Sequence, residues 1–354
     1  MSSAEIDFSV VLPVYNCNRF LTVCHDSLAR ARRRFKNGIV QFVWVNDGST
    51  DGSGVLLDSF LEPSDHDIVI HQKNAGVSAA RNVGIVAAEG RWLMFLDPDD
   101  IYHPDVFCHL YNIVSQYDVD VVKFGYRRTN RHIMEWAVPS TPVVELFNLT
   151  VEKEFASAWS HHLVKSRMWN GCYRRCIFKR LQFRCIPNGE DGLFAQECLG
   201  KIQSLALTDS VLYSYLQSAQ SATQMRNLPM TEGHILYNRH CYEIAIGWPF
   251  FQAIHSGFKR AMRSSVGGSS IGLILSLASK DRKTAWSFFM SNLKDVFVEP
   301  YVFNGIERRL YAFAFKAKSP TLLLLFLRFP WWIRKTLLQV SLVRRIKRIC
   351  REER

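Results

Sequence analysis

Val40-Gln-Phe-Val-Trp-Val-Asn-Asp-Gly-Ser-Thr-Asp-Gly52 decides the fold. The run Val40 to Val45 is short, mainly apolar and of strand length, and the seven residues after it are turn formers. Strands that are apolar almost throughout are buried on both faces, which happens in parallel sheets covered by helices. Upstream, Phe8-Ser-Val-Val-Leu-Pro-Val-Tyr15 reads as the same kind of strand. Phe20 to Arg34 then has helical spacing and a basic C-terminal end that suits the helix dipole. Downstream, Asp67 to Ile70 is a third strand, Gly76 to Ala88 an Ala-rich helix, and Trp92 to Leu96 a fourth strand. Pro104 to Tyr117 is predicted to be helix and Val119 to Phe124 strand. This alternation predicts an α/β fold with a mostly parallel sheet and helices on both faces. Residues 150–225 read as less regular, and from about Thr231 to Phe297 helices are expected.

Ligands of such sheets bind beyond the carboxyl ends of the strands. Three strand ends carry polar clusters: Tyr15-Asn16, Asp47-Gly48-Ser49 and Asp97-Pro98-Asp99-Asp100. Asp97 and Asp99 can share a divalent cation with phosphate oxygens, as Mg²⁺ and Mn²⁺ prefer. The same residues also suit a solvated turn, with Asp100 capping the next helix. Carboxylates packed together without a cation repel, which favours the metal. Gly48 permits a sharp turn, and Asp47 can accept hydrogen bonds from a base or ribose. Ser49 or Asp51 suits a helix N-cap. Glu190-Asp191 can supply a general base with an orienting neighbour, or can be the acidic first turn of a helix. Arg81 and Asn82 lie on a helix that begins near a glycine, where phosphate or base contact is expected. Neither GxGxxG nor GxxxxGK[ST] is present, which disfavours dinucleotide dehydrogenases and P-loop enzymes.

Taken in order, these segments resemble the family 2 inverting glycosyltransferases with the GT-A fold, of the bacterial surface-polysaccharide type. Val11-Leu-Pro-Val-Tyr-Asn16 is similar to the family's first strand, and Val45-Asn-Asp-Gly-Ser-Thr-Asp-Gly52 to its nucleotide-binding turn. Asn74-Ala-Gly-Val-Ser-Ala-Ala-Arg-Asn82 matches its Asn-x-Gly-x-Ser-x-Ala-Arg-Asn pattern. Phe95-Leu-Asp-Pro-Asp-Asp100 resembles its metal-binding element. Trp169, Tyr173-Arg174-Arg175 and Glu190-Asp191 resemble the acceptor-side segment. The resemblance covers residues 8 to about 225.

It implies that Pro13, Tyr15, Asn16, Asp47, Ser49, Asn74, Gly76, Arg81 and Asp97 hold the nucleotide sugar, with Asp47 on the base. It implies Asp99 and Asp97 as ligands of Mn²⁺ or Mg²⁺, Asp191 as catalytic base beside Glu190, and Trp169 against the acceptor, although Trp169 suits a core position equally well. The expected reaction moves a hexose-type sugar from a nucleotide-diphosphate donor, UDP-linked, to a hydroxyl of a glycan or lipid-linked acceptor, as in capsule, O-antigen or exopolysaccharide synthesis. The alternative is a sugar-nucleotide-binding protein or nucleotidyltransferase of the same fold. The first loop lacks the Gly-rich basic character of nucleotidyltransferases, and both Asp99 and Asp191 are present. Two positions depart from the family pattern. Gly171 stands where many relatives carry a basic residue, and Leu216 follows Tyr213-Ser-Tyr215 where an Arg is usual; Arg226 is the nearest candidate for that Arg.

Composition sharpens the setting. The 354 residues are 48% hydrophobic and carry a net charge of +12. Of the 44 basic and 32 acidic side chains, 13 and 3 fall in residues 301–354, a net +10. The first 300 residues are therefore close to neutral. The tail interleaves Leu, Phe and the adjacent Trp331 and Trp332 with Arg and Lys, which suits a helix lying on an anionic membrane surface. The same apolar face also suits packing on the protein or on a second copy as a homodimer. No stretch approaches the roughly 18 apolar residues of a spanning helix. Met1 to Asp7 has no signal-peptide pattern, and nine scattered cysteines fit a reducing compartment. The expected domains are residues 1–228 (GT-A catalytic domain), 229–300 (helical extension) and 301–354 (basic tail). The expected location is cytoplasmic, peripheral on the inner face of the cell membrane. Nucleic acid is not an expected partner, because the tail is too Leu-rich for an aromatic-basic platform.

Overall fold

Among the described residues nine strands, numbered in chain order with ranges given below, form one sheet in the order β3-β2-β1-β4-β8-β6-β9-β5, with β7 also on β9. The computed structural model describes residues 5–62, 66–139, 141–161, 167–186, 189–217, 237 and 240–258. The chain divides into two compact units, Met1–Gln224 with His240–Ile254, and Met225–Arg239 with His255–Arg354. All elements named below belong to the first. Of the expected helical extension, 240–245 and 251–258 are helical. The basic tail and Arg226 lie outside the described residues.

The parallel half is β1 (Phe8–Val14), β2 (Val40–Asp47), β3 (Ile68–Gln72) and β4 (Trp92–Phe95). Each is one of the apolar runs read from the sequence. The register Val14↔Asn46 and Val11↔Phe95 brings the ends of β1, β2 and β4 to one edge. The two faces of β1 are dressed differently. Phe8, Val10, Leu12 and Val14 join the core with α1 (Asn18–Arg34) and α4 (Val106–Gln116). Leu21, Cys24, Leu28 and Ala31 form the buried stripe of α1, at the spacing of one helical face. Helix α3 (Val77–Ala87) packs on the opposite face. Gly84 permits this approach, since a Cβ there would lie 2.3 Å from Val11 Cγ1.

Beyond β4 the sheet is mixed. The strands β5 (Ile101–Tyr102), β6 (Val121–Thr129), β7 (Val144–Asn148), β8 (Gly171–Arg174) and β9 (Ser204–Leu216) add four antiparallel pairings and the parallel pair β6–β9. Residues 150–225 are thus more regular than the sequence suggested. They hold α5 (Glu152–Ser160), β8, a 3-10 helix at Arg175–Arg180, α6 (Glu190–Leu199) and β9, the longest strand. Two expected caps differ. The helix α2 (Ser53–Asp58) takes Gly52, not Ser49 or Asp51, at its N-cap, although Asp51 Oδ1 still accepts from the Ser53 amide at 3.0 Å. Asp100 caps nothing. It is wholly buried and accepts from Tyr213 Oη at 2.6 Å and the Leu216 amide at 2.7 Å, fixing the end of β9 under the site.

Candidate active site

The loops after β1 and β2 are joined by side chains that satisfy backbone amides. Asn16, at φ 51°, donates its amide to Ser49 Oγ at 3.0 Å and accepts from the Thr50 amide at 2.8 Å. The Cys17 amide donates to Ser53 Oγ and the Asn18 amide to Asp51 Oδ2, each at 3.0 Å. Asn16 and Ser49 therefore build the cradle, and Tyr15 stands half exposed at its rim. Pro13 is the strand residue just behind it.

Asp47 is buried at the end of β2. Its two oxygens accept from Gln72 Nε2 at 2.7 Å and from the amides of Ala75 and Gly76 at 2.8 Å each. This carboxylate thus orders the turn Asn74–Gly76 that leads into α3. Gly48, at φ 72°, is required there: a Cβ would lie 2.8 Å from the Asn74 amide nitrogen. Asn46 Nδ2 meets His71 Nδ1 at 2.9 Å, and His71 Nε2 meets Asp58 Oδ1 at 3.0 Å, so one bonded chain supports the turn from behind.

Helix α3 reaches a segment a hundred residues away. The side chain of Asn82 clasps the backbone of Phe183, accepting from its amide at 2.8 Å and donating to its carbonyl at 2.9 Å. Ser78 Oγ donates to the Arg184 carbonyl at 2.9 Å. These bonds deliver the chain that turns at Gly189 into α6, whose first turn carries Glu190 and Asp191. The acid pair opens the helix, and both of its side chains lie against Arg81.

Arg81 is the hub. It is buried, with Nη2 at 2.9 Å from Asp97 Oδ1 and Nη1 at 3.0 Å from Glu190 Oε1 and 2.7 Å from Asp191 Oδ1. Burial alone would lower its pKa, but the three carboxylates hold it above its ordinary value. This side chain, expected on the nucleotide, is an ion clamp that brings the end of β4 and the start of α6 to one point. Burial pushes the Asp191 carboxyl up to about 7, with Glu190 and Asp97 raising it and Arg81 and Lys123 lowering it. Asp191 Oδ1 is buried, and the Arg81 ion pair is the contact that holds it. A buried carboxylate poised near neutrality suits a general base.

Asp99 lies beside Asp97, and burial and the Asp97 charge raise its carboxyl to about 6. His132 fixes this loop through a 2.8 Å bond to the Asp99 carbonyl. Among the described residues no three His, Cys, Asp or Glu side chains are placed to hold a metal ion by themselves. Two carboxylates that repel one another without a cation fit an ion whose other ligands are diphosphate and water.

Two residues stand differently from expectation. Trp169 is a core residue, 5% exposed. It stacks on Tyr213 at 4.3 Å and Tyr215 at 5.7 Å, with Tyr126 edge-on at 4.9 Å, so it offers no free face to an acceptor sugar. Lys123, passed over in the sequence, is buried in β6 directly opposite Gly171. The only hint of it was a cation inside the apolar run Val121-Val-Lys-Phe124.

Residues 9–179 match the family described as Glycosyl transferase family 2. The chain is similar to glycosyltransferase EpsJ of Bacillus subtilis, 28% identical over 64% of this chain and 66% of that protein. It is similar to glycosyltransferase GlyA of Streptococcus pneumoniae, 31% identical over 58% and 30% of the two chains. To the minor teichoic acid biosynthesis protein GgaB of Bacillus subtilis it is 29% identical, over 63% and 24%. The matched part thus spans less than two thirds of each of these relatives. TarS 1-349 of S. aureus, solved with UDP-GlcNAc, shares the fold with a TM-score of 0.60 at 17% identity, over 90% of this chain and 89% of that one. Mannosyltransferase PcManGT from Pyrobaculum calidifontis, solved with GDP-Man and Mn²⁺, does so at 0.51 and 12%, over 92% and 89%. With its motifs gathered at one edge of a GT-A sheet, the chain is similar, through residues 9–179, to glycosyl transferase family 2.

Proposed function

We propose that this protein transfers a sugar, with inversion, from a nucleotide-diphosphate donor to a hydroxyl of a glycan or lipid-linked acceptor in the assembly of a bacterial surface polymer. The Arg81 clamp carries the reading, because it holds the donor-side acid Asp97 and the base Asp191 on one guanidinium. UDP is the nucleotide proposed, on the fold shared with a protein solved with UDP-GlcNAc. The name of GgaB supports a cell-wall polymer as the destination.

The cradle of residues 15–18 and 49–53 receives the nucleotide, with Tyr15 at its rim and Asp47 shaping its floor. Asp97 and Asp99 would hold Mn²⁺ or Mg²⁺, which neutralises charge on the departing diphosphate. Asp191 accepts the proton of the attacking hydroxyl, and Arg81 and Glu190 fix the orientation of its carboxylate. Such a base contributes about 10²–10⁴-fold. Residues 1–228 form the catalytic domain in this reading, 229–300 a helical extension, and the +10 tail at 301–354 rests on the anionic inner face of the membrane.

The test is incubation of the full chain with Mn²⁺ and a panel of UDP- and GDP-sugars, with and without lipid-linked acceptors. Nucleotide release from one donor, stimulated by acceptor and lost in excess chelator, is expected. Absence of release from every donor would overturn the reading.

A further inference from the structure

A segment with neither helix nor strand has no backbone ladder of its own, so side chains must hold it in place. Residues 130–136, which follow β6, are such a segment. At its start, Thr129 Oγ1 accepts from the Arg131 amide at 3.2 Å and donates to the Arg131 carbonyl at 2.6 Å. Arg127 Nη2 donates to the Ile133 carbonyl at 3.3 Å, and the same guanidinium lies over the Trp136 ring at 4.1 Å. At its end, Trp136 Nε1 donates to the Val211 carbonyl at 2.6 Å, and His103 Nε2 meets the Trp136 carbonyl at 2.8 Å. Glu135 Oε1 reaches α1, at 3.2 Å from Arg30 Nη1 and 2.7 Å from Arg34 Nη2. Those two ion pairs are exposed and contribute little. A groove of about 590 Å³ is lined by His132 and Met134 together with Val23, Asp26, Arg30 and Arg33 of α1. The segment is thus not packed flat on that helix, and its fixation comes from its two ends.

From the middle of this segment one bond runs to the site. His132 Nε2 meets the Asp99 carbonyl at 2.8 Å, and since a carbonyl only accepts, Nε2 carries the hydrogen. Phe20 of α1 stands edge-on to the imidazole, with 6.3 Å between ring centroids. The turn 97–100 that receives the bond is closed by the Asp100 amide on the Asp97 carbonyl at 2.9 Å. Arg81 holds the Asp97 side chain, and Tyr213 and the Leu216 amide hold that of Asp100. Asp99 lies between them, and His132 ties its backbone to the segment 130–136. We propose that residues 130–136 are a brace for the cation site, with His132 the positioning residue that aims the Asp99 carboxylate at the ion. The inference rests on the proposed metal site of Asp97 and Asp99. A ligand held in place before the ion arrives binds it more tightly, because less order is lost on binding. Groups bonded to ligand residues typically set about 10–100-fold in metal affinity. His132 acts through the Asp99 backbone and not through its carboxylate, so the lower end of that range is expected.

The test is Mn²⁺ binding to the full chain, alone and with UDP present, read by the water-proton relaxation that protein-bound Mn²⁺ enhances. Thermal unfolding of the metal-free proteins is measured alongside. His132→Phe keeps a ring but removes the donor, and should weaken Mn²⁺ binding about tenfold. His132→Gln restores an N–H donor, and should bind within about threefold of the wild type. Should His132→Phe not fold, Trp136→Phe removes the indole bond to Val211, loosens the same brace and should weaken Mn²⁺ binding in the same direction. A lowered melting temperature with an unchanged Mn²⁺ titration would make the segment merely structural and overturn the inference. So would a His132→Gln protein that binds Mn²⁺ as weakly as His132→Phe. A wild type that binds no Mn²⁺ would overturn the brace and the metal site together. Failure of the wild type to release nucleotide from any donor, with Mn²⁺ bound, would instead overturn the transferase reading alone.

Discussion

Replacing Arg81 by Met tests the clamp directly. The side chain is buried against three carboxylates at 2.7–3.0 Å. Removing one partner of a buried ion pair costs about 3–5 kcal/mol. Three acids share this cation, so the upper end of that range is expected wherever all are ionised. The pH dependence is the sharper reading. An Asp titrates near 3.9 in the unfolded chain, and Asp191 near 7 in the fold. Between those values the folded state binds more protons, and stability falls by about 1.4 kcal/mol per pH unit as pH rises. In the wild type this loss ends near pH 7. Arg81 is the first of the groups that lower Asp191, so without it the folded value moves higher and the loss continues. From pH 7 to 8.5 the variant should lose about 2 kcal/mol more than the wild type. Urea unfolding of both full-length proteins at pH 5.5, 7 and 8.5, followed by tryptophan fluorescence, measures this. A penalty under about 1 kcal/mol, or one equal at pH 5.5 and 8.5, would refute the clamp.

Asp191→Asn should lower kcat by about 10²–10⁴-fold while calorimetry shows UDP binding unchanged; near-normal turnover would remove Asp191 as the base. Asp99→Asn should raise the Mn²⁺ concentration needed for half-maximal rate, and an unchanged metal titration would place the ion elsewhere. Trp169→Ala should cost about 3–5 kcal/mol of stability by emptying a packed aromatic site. Its acceptor KM should stay as it was, and a selective rise in that constant would return Trp169 to the acceptor. Asp100→Asn should cost about 1–3 kcal/mol, since Tyr213 Oη or the Leu216 amide loses its acceptor.

The parallel half of the sheet was readable because each strand is a short apolar run that stops in turn formers. It was the resemblance to a known family, not the spacing, that put Asp97, Asp99, Asp191 and Arg81 into one expected site. What it could not carry was pairing at a distance. Asp100 reads locally as a cap, and only the fold brings Tyr213 onto it across 113 positions. Trp169 reads equally as a sugar platform or a core residue, and only Tyr213 and Tyr215 arriving from β9 place it in the core. Lys123 finds its acceptors 44 to 50 residues away, and nothing beside it in sequence announces them. Of the mixed half, only β6 was read from the sequence; β5, β7, β8 and β9 were missed for the same reason, since their partners are remote. Arg81 was read as a ligand-facing residue because its three counter-ions are separated in sequence.

That separation has a consequence for how the chain is made. Asp97 follows Arg81 by 16 positions, but Glu190 follows it by 109. At about 5–20 residues per second, a ribosome needs several seconds to tens of seconds to supply the second group. During that interval the first four strands can pair, while the guanidinium has one of its three partners and Asn82 has no Phe183 to grip. The N-terminal half is then born with its central cation under-neutralised and its α3 face bare. Completion of the acid cluster is therefore a late step of biosynthesis, and a ribosome-bound fragment ending before Glu190 should hold the paired strands β1 to β4 without the finished acid cluster.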